Sequence, residues 1–414
     1  MPRVLVVLID AFRYDYLSDS LTPFLRSLAK QGFCAPLQPI LGYSDAIRAT
    51  IFTGTYPDVH GYWIKYSFRP ENSPFNFLKN LKFFDHIPDN LAKRAFRFAL
   101  SIMLGEAIAL KHNCSAISAD NIPFGIAPFF DATLRKDMIS LGAFGNVPSL
   151  FDVLVKHDIL FGLVSSMILR DKLGKRALKV LKRLRQNTQF IFVYLDHLDF
   201  AAHRYGISSR RFRCILRYID ALIEDIITTV EKRFDGEFLF IIFSDHGMAE
   251  VKKFINFEKM IFDKRFGKDY IFFLDSTMVR IWYLNEAVKE EIRERFSKLP
   301  YGSFLSQGER ASLRISFNQR YYGDDVYLLK PGYSIFPDFM SWLKPRAMHA
   351  YHPNHRSQLG IFICSDGEAV RFNANQMFVK PVDIMPTILD ILGIEPPSTC
   401  EGTSLYRRCL KVAT

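Results

Sequence analysis

Short apolar runs separated by segments of helical periodicity are the feature that most constrains the fold of this chain. The apolar runs cover residues 3–9, 159–164, 190–195, 237–243 and 359–364. The helical patterns lie between or beside them, at residues 18–31, 149–157, 168–186, 207–233 and 383–392. Continuous rather than alternating apolarity is typical of strands buried on both faces. Strands that alternate with helices predict an α/β fold with a doubly wound, mainly parallel sheet.

Residues with metal-ligand chemistry follow three of these predicted strands. Asp10 comes directly after the first apolar run, Asp199 comes after the third, and the pair Asp245-His246 comes after the fourth. In open α/β sheets ligands bind beyond the carboxyl ends of the strands. We therefore expect these side chains to lie close together, although a turn after a buried strand would also explain Asp245-His246.

Further histidines extend the candidate ligand set. His203 lies four residues after Asp199, so that on a helix it is either a second ligand or a histidine hydrogen-bonded to Asp199. His349 and His352 are both candidates for a ligand near the carboxyl end of the chain. Mixed carboxylate and imidazole sets are typical of zinc, whereas calcium and magnesium prefer oxygen alone. The set predicts two divalent metal ions, zinc first and manganese or another divalent cation as alternatives, and metal-assisted hydrolysis of a phosphate or sulfate ester.

The segment from Gly42 to Gly54 predicts a helix with a hydroxyl at its start. Ser44 would lie where backbone N–H groups and the helix dipole favour an anion. We predict that Ser44 is the nucleophile, which requires a base or a metal to activate it. Arg48 lies one turn later on the same face and is the predicted anion contact. The alternative is that Ser44 is only an N-cap and Arg48 only a surface charge.

Residues 64–147 interrupt the alternation of strands and helices. The segment is rich in Phe and contains an apolar stretch at helical spacing, residues 95–110. We predict an inserted, helical cap on a catalytic core formed by residues 1–63 and 148–414. The cap is either a lid that selects an apolar leaving group or contacts lipid, or a small accessory core. Alternating segments between residues 265 and 340 predict an additional small antiparallel layer.

Charge and hydropathy limit the partners. The formal net charge of +11 favours a small anionic substrate, and there is no motif for specific nucleic-acid recognition. No apolar run reaches the roughly 18 to 20 residues of a transmembrane segment. Residues 170–185 predict a basic amphipathic helix, either solvated or in peripheral contact with a membrane.

Six cysteines without CxxC spacing predict buried reduced thiols, and the absence of a cleavage site after the first run predicts a cytoplasmic protein. Oligomeric state is not indicated.

Together these motifs resemble the alkaline phosphatase superfamily, and within it the type I phosphodiesterase and nucleotide pyrophosphatase branch. The resemblance covers most of the chain outside residues 64–147. It rests on Val6-Val7-Leu8-Ile9-Asp10, the helix ending in Thr53-Gly54, Asp199-x-x-x-His203 before Gly206, Ser244-Asp245-His246-Gly247-Met248, Met348-His349-Ala350-Tyr351-His352-Pro353, and Val382-Asp383-Ile384-Met385-Pro386-Thr387-Ile388-Leu389.

The resemblance also implies how the ligands are divided and used. One metal would be held by Asp199, His203 and His349, and the other by Asp10, Asp245, His246 and the hydroxyl of Ser44. His349 is preferred to His352, because Met-His-Ala-Tyr-x-Pro resembles the family's His-Gly-Tyr-Asp-Pro. In the implied mechanism Ser44 attacks phosphorus, and water then hydrolyses a phosphoseryl intermediate. The chain is therefore predicted to be a phosphoric ester hydrolase, either a phosphodiesterase or a phosphatase.

Two departures from the branch leave alternatives open. Nucleotide pyrophosphatases usually have Thr as nucleophile and Asn three residues later, where this chain has Ser44 and Ile47. Either Arg48 replaces the missing donor or the substrate differs. Ser44-x-Ala46-x-Arg48 also resembles the sulfatase signature, although sulfatases usually open with paired aspartates and Asp10 is followed by Ala11. Sulfate ester hydrolysis, phosphoryl transfer and a catalytically silent binding role remain the alternatives.

Overall fold

The structure is a computed structural model that describes residues 3–86, 92–97, 99–100, 103, 105, 121–134, 136–165, 175–234, 238–261, 263, 265–365 and 378–406. Parts of the predicted apolar stretch 95–110 and of the predicted basic helix 170–185 lie outside these residues, as do Cys114 and Cys409. No helix in the described ranges combines the length and apolar character that crossing a bilayer requires.

The strands, in chain order, are β1 (Arg3–Ile9), β2 (Phe33–Leu37), β3 (Tyr66–Phe68), β4 (Phe130–Ala132), β5 (Phe161–Ser165), β6 (Phe190–Leu195), β7 (Phe238–Phe243), β8 (Ala249–Glu250), β9 (Lys253–Ile255), β10 (Tyr270–Leu274), β11 (Met278–Tyr283), β12 (Gly302–Phe304), β13 (Asp325–Leu329), β14 (Tyr333–Ile335), β15 (Ala347–Met348) and β16 (Gly360–Ser365). The α-helices are Pro23–Gln31, Ser44–Thr53, Pro57–His60, Leu150–Lys156, Lys175–Leu181, His197–Tyr205, Arg210–Arg233, Glu258–Ile261, Lys289–Ser297, Gln307–Ser312 and Ile384–Ile391. The 3-10 helices are Tyr14–Tyr16, Asn76–His86, Ala127–Phe129, Glu286–Val288, Arg320–Tyr322, Arg356–Gln358 and Pro381–Asp383.

A six-stranded mixed sheet with the order β2-β16-β7-β1-β6-β5 forms the main layer. The neighbours β7, β1, β6 and β5 are parallel. Strand β16 is antiparallel to both β7 and β2, so β2 runs in the same direction as the parallel group. The predicted doubly wound, mainly parallel α/β sheet is therefore confirmed, with β16 as its reversed strand.

Each predicted apolar run is a strand of this sheet, and β1 shows why it is apolar throughout. Successive side chains of a strand point to opposite faces. Leu5, Val7 and Ile9 pack in one core with the long helix Arg210–Arg233. Val4, Val6 and Leu8 pack in the other core with the helices Ser44–Thr53 and Ile384–Ile391. Because helices cover both faces, neither face of β1 tolerates polar residues.

Strand β2 was not predicted from the sequence. It contains Pro36, which lacks a backbone N–H and interrupts a strand pattern. Its position at the edge of the sheet explains how the proline is accommodated, because an edge strand pairs on one side. The prediction of buried thiols is wrong for Cys214, which is exposed on the long helix Arg210–Arg233.

A second layer contains the antiparallel sheet β10-β11-β13-β12, as expected for residues 265–340. The described part of residues 64–147 contributes to the core of this layer. The ring of Phe130 lies 4.8 Å from that of Phe273 and 5.2 Å from that of Trp282. The division of the chain at residues 64 and 147 stays a prediction, but the described part of this segment shares its core with residues 249–351.

A buried ion pair lies within this second core. The Nε of Arg280 donates to Oδ2 of Asp275 at 2.7 Å, and both side chains are fully buried. The guanidinium also donates to the carbonyl of Tyr66 at 2.7 Å and lies over the ring of Phe273. These partners of the charge pair are all protein groups of the second layer.

Candidate active site

The sheet topology brings the predicted site residues to one edge. Strands β6, β1 and β7 are parallel neighbours, so the segments that follow them begin side by side. The reversed direction of β16 places its amino-terminal end at the same edge, opposite the carboxyl-terminal end of β2. The helix Ser44–Thr53 follows β2. Five segments that are distant in sequence therefore meet at one place.

Asp10, Asp245 and His246 form a buried group beside Ser44. Nε2 of His246 lies 3.2 Å from Oδ1 of Asp10 and 3.7 Å from Oδ2 of Asp245. The same nitrogen lies 2.8 Å from Oγ of Ser44. One ligand atom from each of Asp10, Asp245 and His246 falls within 4.8 Å of the others. The four residues that the resemblance assigns to one metal are thus adjacent.

Asp199 and His349 form a second group with His246. Their ligand atoms also lie within 4.8 Å of one another, and the rings of His246 and His349 stack with centroids 3.9 Å apart. Nε2 of His349 lies 3.9 Å from Oδ1 of Asp199. His203 extends this group, since its Nε2 lies 3.2 Å from the same Asp199 oxygen. His246 therefore stands between the two groups.

The open alternatives among the candidates have clear positions in the structure. His352 lies outside both groups, and its Nδ1 accepts a hydrogen bond from the backbone N–H of Asn354 at 3.3 Å. His203 does contact Asp199 on the same helix, but it also faces the ring of His349 at 5.4 Å. The N-cap of the helix Ser44–Thr53 is Tyr43, and Ser44 is the first helical residue.

The backbone hydrogen bonds of two histidines fix the orientation of their rings. Nδ1 of His246 lies 2.8 Å from the carbonyl of Gly247, and Nδ1 of His203 lies 2.7 Å from the carbonyl of Ala347. A carbonyl only accepts hydrogen bonds, so each Nδ1 carries the hydrogen. Each Nε2 is then directed at the carboxylates. Metal-binding histidines are typically held in this way, with the other ring nitrogen donating to the backbone.

Several buried ligand-type atoms lack hydrogen bonds. In the described part of the chain, Oδ1 of Asp10, Oδ1 of Asp199, Oδ2 of Asp245 and Nδ1 of His349 have no hydrogen-bond partner. Leaving a buried polar group without a partner costs about 1 to 3 kcal/mol. The three carboxylate oxygens belong to residues of the two groups, which could therefore hold divalent cations with mixed oxygen and nitrogen donors.

The pKa shifts show the charge balance of the metal-free cluster. Burial, and then the nearby Asp10 carboxylate, raises the pKa of Asp245 to about 7. Burial acts to lower the pKa of His246, but Asp245 and Asp10 outweigh it and raise that pKa to about 10. Burial also acts to raise the pKa of Asp10, but His246 and Arg48 hold it below its usual value. Burial and the two neighbouring histidines lower the pKa of His349 well below its usual value. The carboxylates thus favour a positive charge between them.

Arg48 lies beside this cluster but is held by protein partners. One terminal nitrogen donates to the hydroxyl of Tyr194, and the other donates to the carboxylate of Asp45. Nη1 of Arg48 lies 3.8 Å from Oδ2 of Asp10. Ile47 is buried in the core, so the position at which the family usually has Asn offers no donor. Arg48 is therefore the cationic side chain of this helix at the site.

Two residues to which the sequence analysis gave no role support the cluster. The hydroxyl of Tyr194 donates to Oδ2 of Asp10. The hydroxyl of Ser244 accepts from the backbone N–H of Phe12 and donates to the carbonyl of His246, both at 2.8 Å. Tyr194 lies in an apolar run that predicted only a strand. The available signal was a polar hydroxyl within an apolar run, near the carboxyl end of a strand that is adjacent to the strand preceding Asp10.

The backbone at the site is unusually constrained. Ala11 and Ala350, which follow Asp10 and His349, have φ values of 62° and 64°. This left-handed conformation favours glycine and accounts for the glycine that the family has at the position of Ala350. A Cβ on Gly247 would lie 2.2 Å from the carbonyl oxygen of Ser357, so this position next to His246 requires glycine.

Sequence comparison identifies relatives of this chain among known proteins. Residues 4–300 match the family described as type I phosphodiesterase / nucleotide pyrophosphatase. Mouse bis(5'-adenosyl)-triphosphatase enpp4 is 23% identical over 423 residues, which cover 99% of this chain and 82% of that relative. An uncharacterized pyrophosphatase/phosphodiesterase of Schizosaccharomyces pombe is 25% identical over 267 residues, which cover 59% of this chain and 44% of that relative.

Solved structures support the fold. Human ectonucleotide pyrophosphatase / phosphodiesterase 5 superposes with a TM-score of 0.68 at 15% identity, over 98% of each chain. Inactive murine ectonucleotide pyrophosphatase / phosphodiesterase 5 in complex with AMP superposes with a TM-score of 0.64 at 16% identity, over 96% of each chain. These matches confirm the predicted fold class, and the predicted class of enzyme, a phosphoric ester hydrolase, agrees with the family. The chain belongs to the type I phosphodiesterase / nucleotide pyrophosphatase family.

Proposed function

We propose that this protein hydrolyses phosphodiester or diphosphate linkages at a two-metal centre, with Ser44 as a nucleophile that forms a phosphoseryl intermediate. The observation that carries the proposal is the position of the Ser44 hydroxyl. Its Oγ lies 2.8 Å from Nε2 of His246, at the edge of a cluster of buried carboxylates and imidazoles that lack other partners. A serine at this place can be activated, whereas an isolated serine is a poor nucleophile at neutral pH.

The residues present fit two divalent ions. Asp10, Asp245, His246 and Ser44 would hold one ion, and the other would be held by Asp199, His203 and His349. Zinc is the first candidate because each set mixes carboxylate and imidazole donors, and manganese is the alternative. When bound, such a pair supplies positive charge to both the attacking and the leaving oxygen of an in-line displacement.

The chain's own residues supply orientation and an anion site. Ser44 is the first residue of a ten-residue helix, where unpaired N–H groups and the helix dipole favour the charge of a phosphoryl group. The other end of this helix is fixed by Gly54, whose backbone has a φ of 63° and whose N–H donates to the carbonyl of Thr50. Because Ser44 contacts His246, which follows β7, the amino terminus of this helix lies at the carboxyl ends of the parallel strands.

The family and the charge of the chain support an anionic phosphoester or nucleotide as substrate. The relatives named above include a bis(5'-adenosyl)-triphosphatase, so a dinucleoside polyphosphate is a natural test substrate. A formal net charge of +11 attracts anionic substrates in general. Ile47 in place of a polar donor leaves the phosphoryl oxygens to the helix terminus, to bound cations and to Arg48.

The proposal is tested by comparing three chromogenic esters on one metal-stripped preparation. A phosphate diester, a phosphate monoester and a sulfate ester are assayed after reconstitution with zinc, manganese or calcium, with diadenosine triphosphate as a fourth substrate. We expect turnover of the diester or the dinucleotide with zinc or manganese. The phosphoseryl group should be trapped by acid quench in the native chain and be absent from Ser44→Ala. Turnover of the sulfate ester with calcium would instead support a sulfatase, and no turnover together with no metal binding would support a binding protein.

A further inference from the structure

Asp45, Arg48, Tyr194 and Asp10 form a continuous relay of side chains. Asp45 accepts a hydrogen bond from one terminal nitrogen of Arg48, and the other terminal nitrogen donates to the hydroxyl of Tyr194. The Tyr194 hydroxyl in turn donates to Oδ2 of Asp10. The relay joins the first turn of the helix Ser44–Thr53 to the end of β1. It therefore connects the segment of the nucleophile with a predicted metal ligand.

The directions of these hydrogen bonds follow from counting hydrogens. A tyrosine hydroxyl has one hydrogen, and a guanidinium can only donate. Because Arg48 donates to the oxygen of Tyr194, the hydroxyl hydrogen is available for Asp10. This hydrogen engages Oδ2 of Asp10, whereas Oδ1 accepts no hydrogen bond and lies 3.2 Å from Nε2 of His246. The two oxygens of the carboxylate thus have different environments.

We propose that Tyr194 is a positioning residue that holds Oδ2 of Asp10, so that Oδ1 is the oxygen presented to the metal, and that Arg48 and Asp45 hold Tyr194 in this orientation. The inference rests on the proposed two-metal function, adds Tyr194 and Asp45 to it, and gives Arg48 a positioning role in it. Partners of a ligating carboxylate typically change metal affinity or activity by about 10- to 100-fold when they are removed.

The burial of Arg48, Tyr194 and Asp10 supports this role, whereas the side chain of Asp45, at the outer end of the relay, is 44% exposed. The side chain of Arg48 is 16% exposed, and Tyr194 is 8% exposed. Asp10 is buried almost completely. Little water can reach these groups to replace a lost partner, and charge-assisted hydrogen bonds are stronger when water is excluded. Loss of the Tyr194 hydroxyl would leave Oδ2 of Asp10 free to rotate toward the cation or to pair directly with Arg48, which is 3.8 Å away.

The first test is a zinc titration of metal-stripped native protein and Tyr194→Phe, in competition with a chromogenic chelator. We expect two zinc sites in the native protein, and in Tyr194→Phe one site that binds about 10- to 100-fold more weakly beside one unchanged site. Tyr270→Phe is the matched control, because the Tyr270 hydroxyl donates to the carbonyl of Ile261 at 3.0 Å in the second layer. Its zinc affinities should equal those of the native protein. Circular dichroism and thermal midpoints of all three proteins establish that each is folded.

The possible failures are distinguishable. If the native protein binds two zinc ions and Tyr194→Phe binds both with native affinity, the positioning role of Tyr194 is wrong while the two-metal site stands. If the native protein binds no zinc, manganese or other divalent ion, the proposed function fails and this inference fails with it.

The second test separates a positioning role of Arg48 from a direct contact with substrate. As part of the relay, Arg48→Met should weaken the same metal site as Tyr194→Phe, and the double variant should lose little more than either single variant, because the two residues act as one unit. If Arg48 instead contacts only the substrate anion, Arg48→Met will keep native metal affinity and raise KM. That result would remove Arg48 and Asp45 from the relay.

Discussion

Asp245→Asn should raise the free energy of unfolding of the metal-free protein and reduce the stabilisation that a bound metal gives. In the absence of a cation the fully buried Asp245 carboxylate faces the carboxylate of Asp10. Oδ1 of Asp245 accepts a hydrogen bond from the backbone N–H of His246 at 3.0 Å. Asparagine has nearly the same shape and keeps an oxygen for this hydrogen bond, but it removes one negative charge. Under the proposed function the same carboxylate holds a metal ion, so we expect its removal to destabilise the metal-bound protein.

The size of the metal-free effect follows from the pKa of Asp245. Burial and the Asp10 charge raise that pKa from 3.8 to about 7, a rise of about 3 units, and each unit corresponds to about 1.36 kcal/mol. The ionised carboxylate therefore costs the folded, metal-free protein about 4 kcal/mol. Asp245→Asn should raise the free energy of unfolding by up to that amount.

The pH dependence has a defined sign. Because the pKa of Asp245 is higher in the folded than in the unfolded chain, the folded state holds the extra proton between pH of about 4 and about 7. Stability from this group is therefore lost as the pH rises through that window. The difference between the metal-free native protein and Asp245→Asn should be small at pH of about 4 and reach its full size above pH of about 7.

The assay is urea unfolding of chelator-treated, desalted proteins at several pH values, repeated with buffered free zinc. Above the dissociation constant, each tenfold increase in free zinc should stabilise the native protein by about 1.4 kcal/mol for this site, with no matching gain in Asp245→Asn. Asp275→Asn is the control, because it breaks the buried pair with Arg280 and should destabilise by about 3 to 5 kcal/mol with or without zinc. A metal-free Asp245→Asn that is no more stable than the native protein at pH 8 would refute the reasoning.

Three further predictions concern single residues of the site. Ser44→Ala should lower turnover of a phosphate diester by a factor on the order of 10³ or more with metal content retained, as measured by steady-state kinetics and elemental analysis; retained turnover would contradict the assignment of the nucleophile. His349→Ala should lose one metal ion per chain by elemental analysis, whereas His352→Ala should keep both, because His352 lies outside the cluster; equal metal contents would contradict the ligand set. Gly247→Ala places a Cβ 2.2 Å from the carbonyl oxygen of Ser357 and should destabilise by about 1 to 3 kcal/mol, which a native thermal midpoint would disprove.

The strands of the main sheet could be predicted because their chemical requirement is local. A central strand covered on both faces must be apolar at every position, as in β1 and β6, and such runs are visible in the sequence. The exception is the edge strand β2, which was not predicted because Pro36 interrupts its strand pattern. Edge strands have weaker compositional requirements, because one side makes no ladder hydrogen bonds.

The candidate ligands could be predicted as a set but not as a geometry. Asp10, Asp199 and Asp245 each follow a predicted strand, and their convergence is a consequence of parallel pairing. The sequence did not reveal that His246 stands between the two groups, whereas the preference for His349 over His352 agrees with the cluster that the structure shows. These choices depend on how loops of different length close over the edge of the sheet.

The sequence alone determined the class of fold and the residue types of the candidate site, because both depend on local residue types and their spacing. The tertiary structure decided the supporting interactions. The contact of Tyr194 with Asp10 joins residues 184 positions apart, and the contact of Ser44 with His246 joins residues 202 positions apart. No periodicity encodes such pairs, because they arise only when separate strands and helices pack with a particular register. For the same reason the part played by Arg48 depends on which partners the folded chain places around its guanidinium.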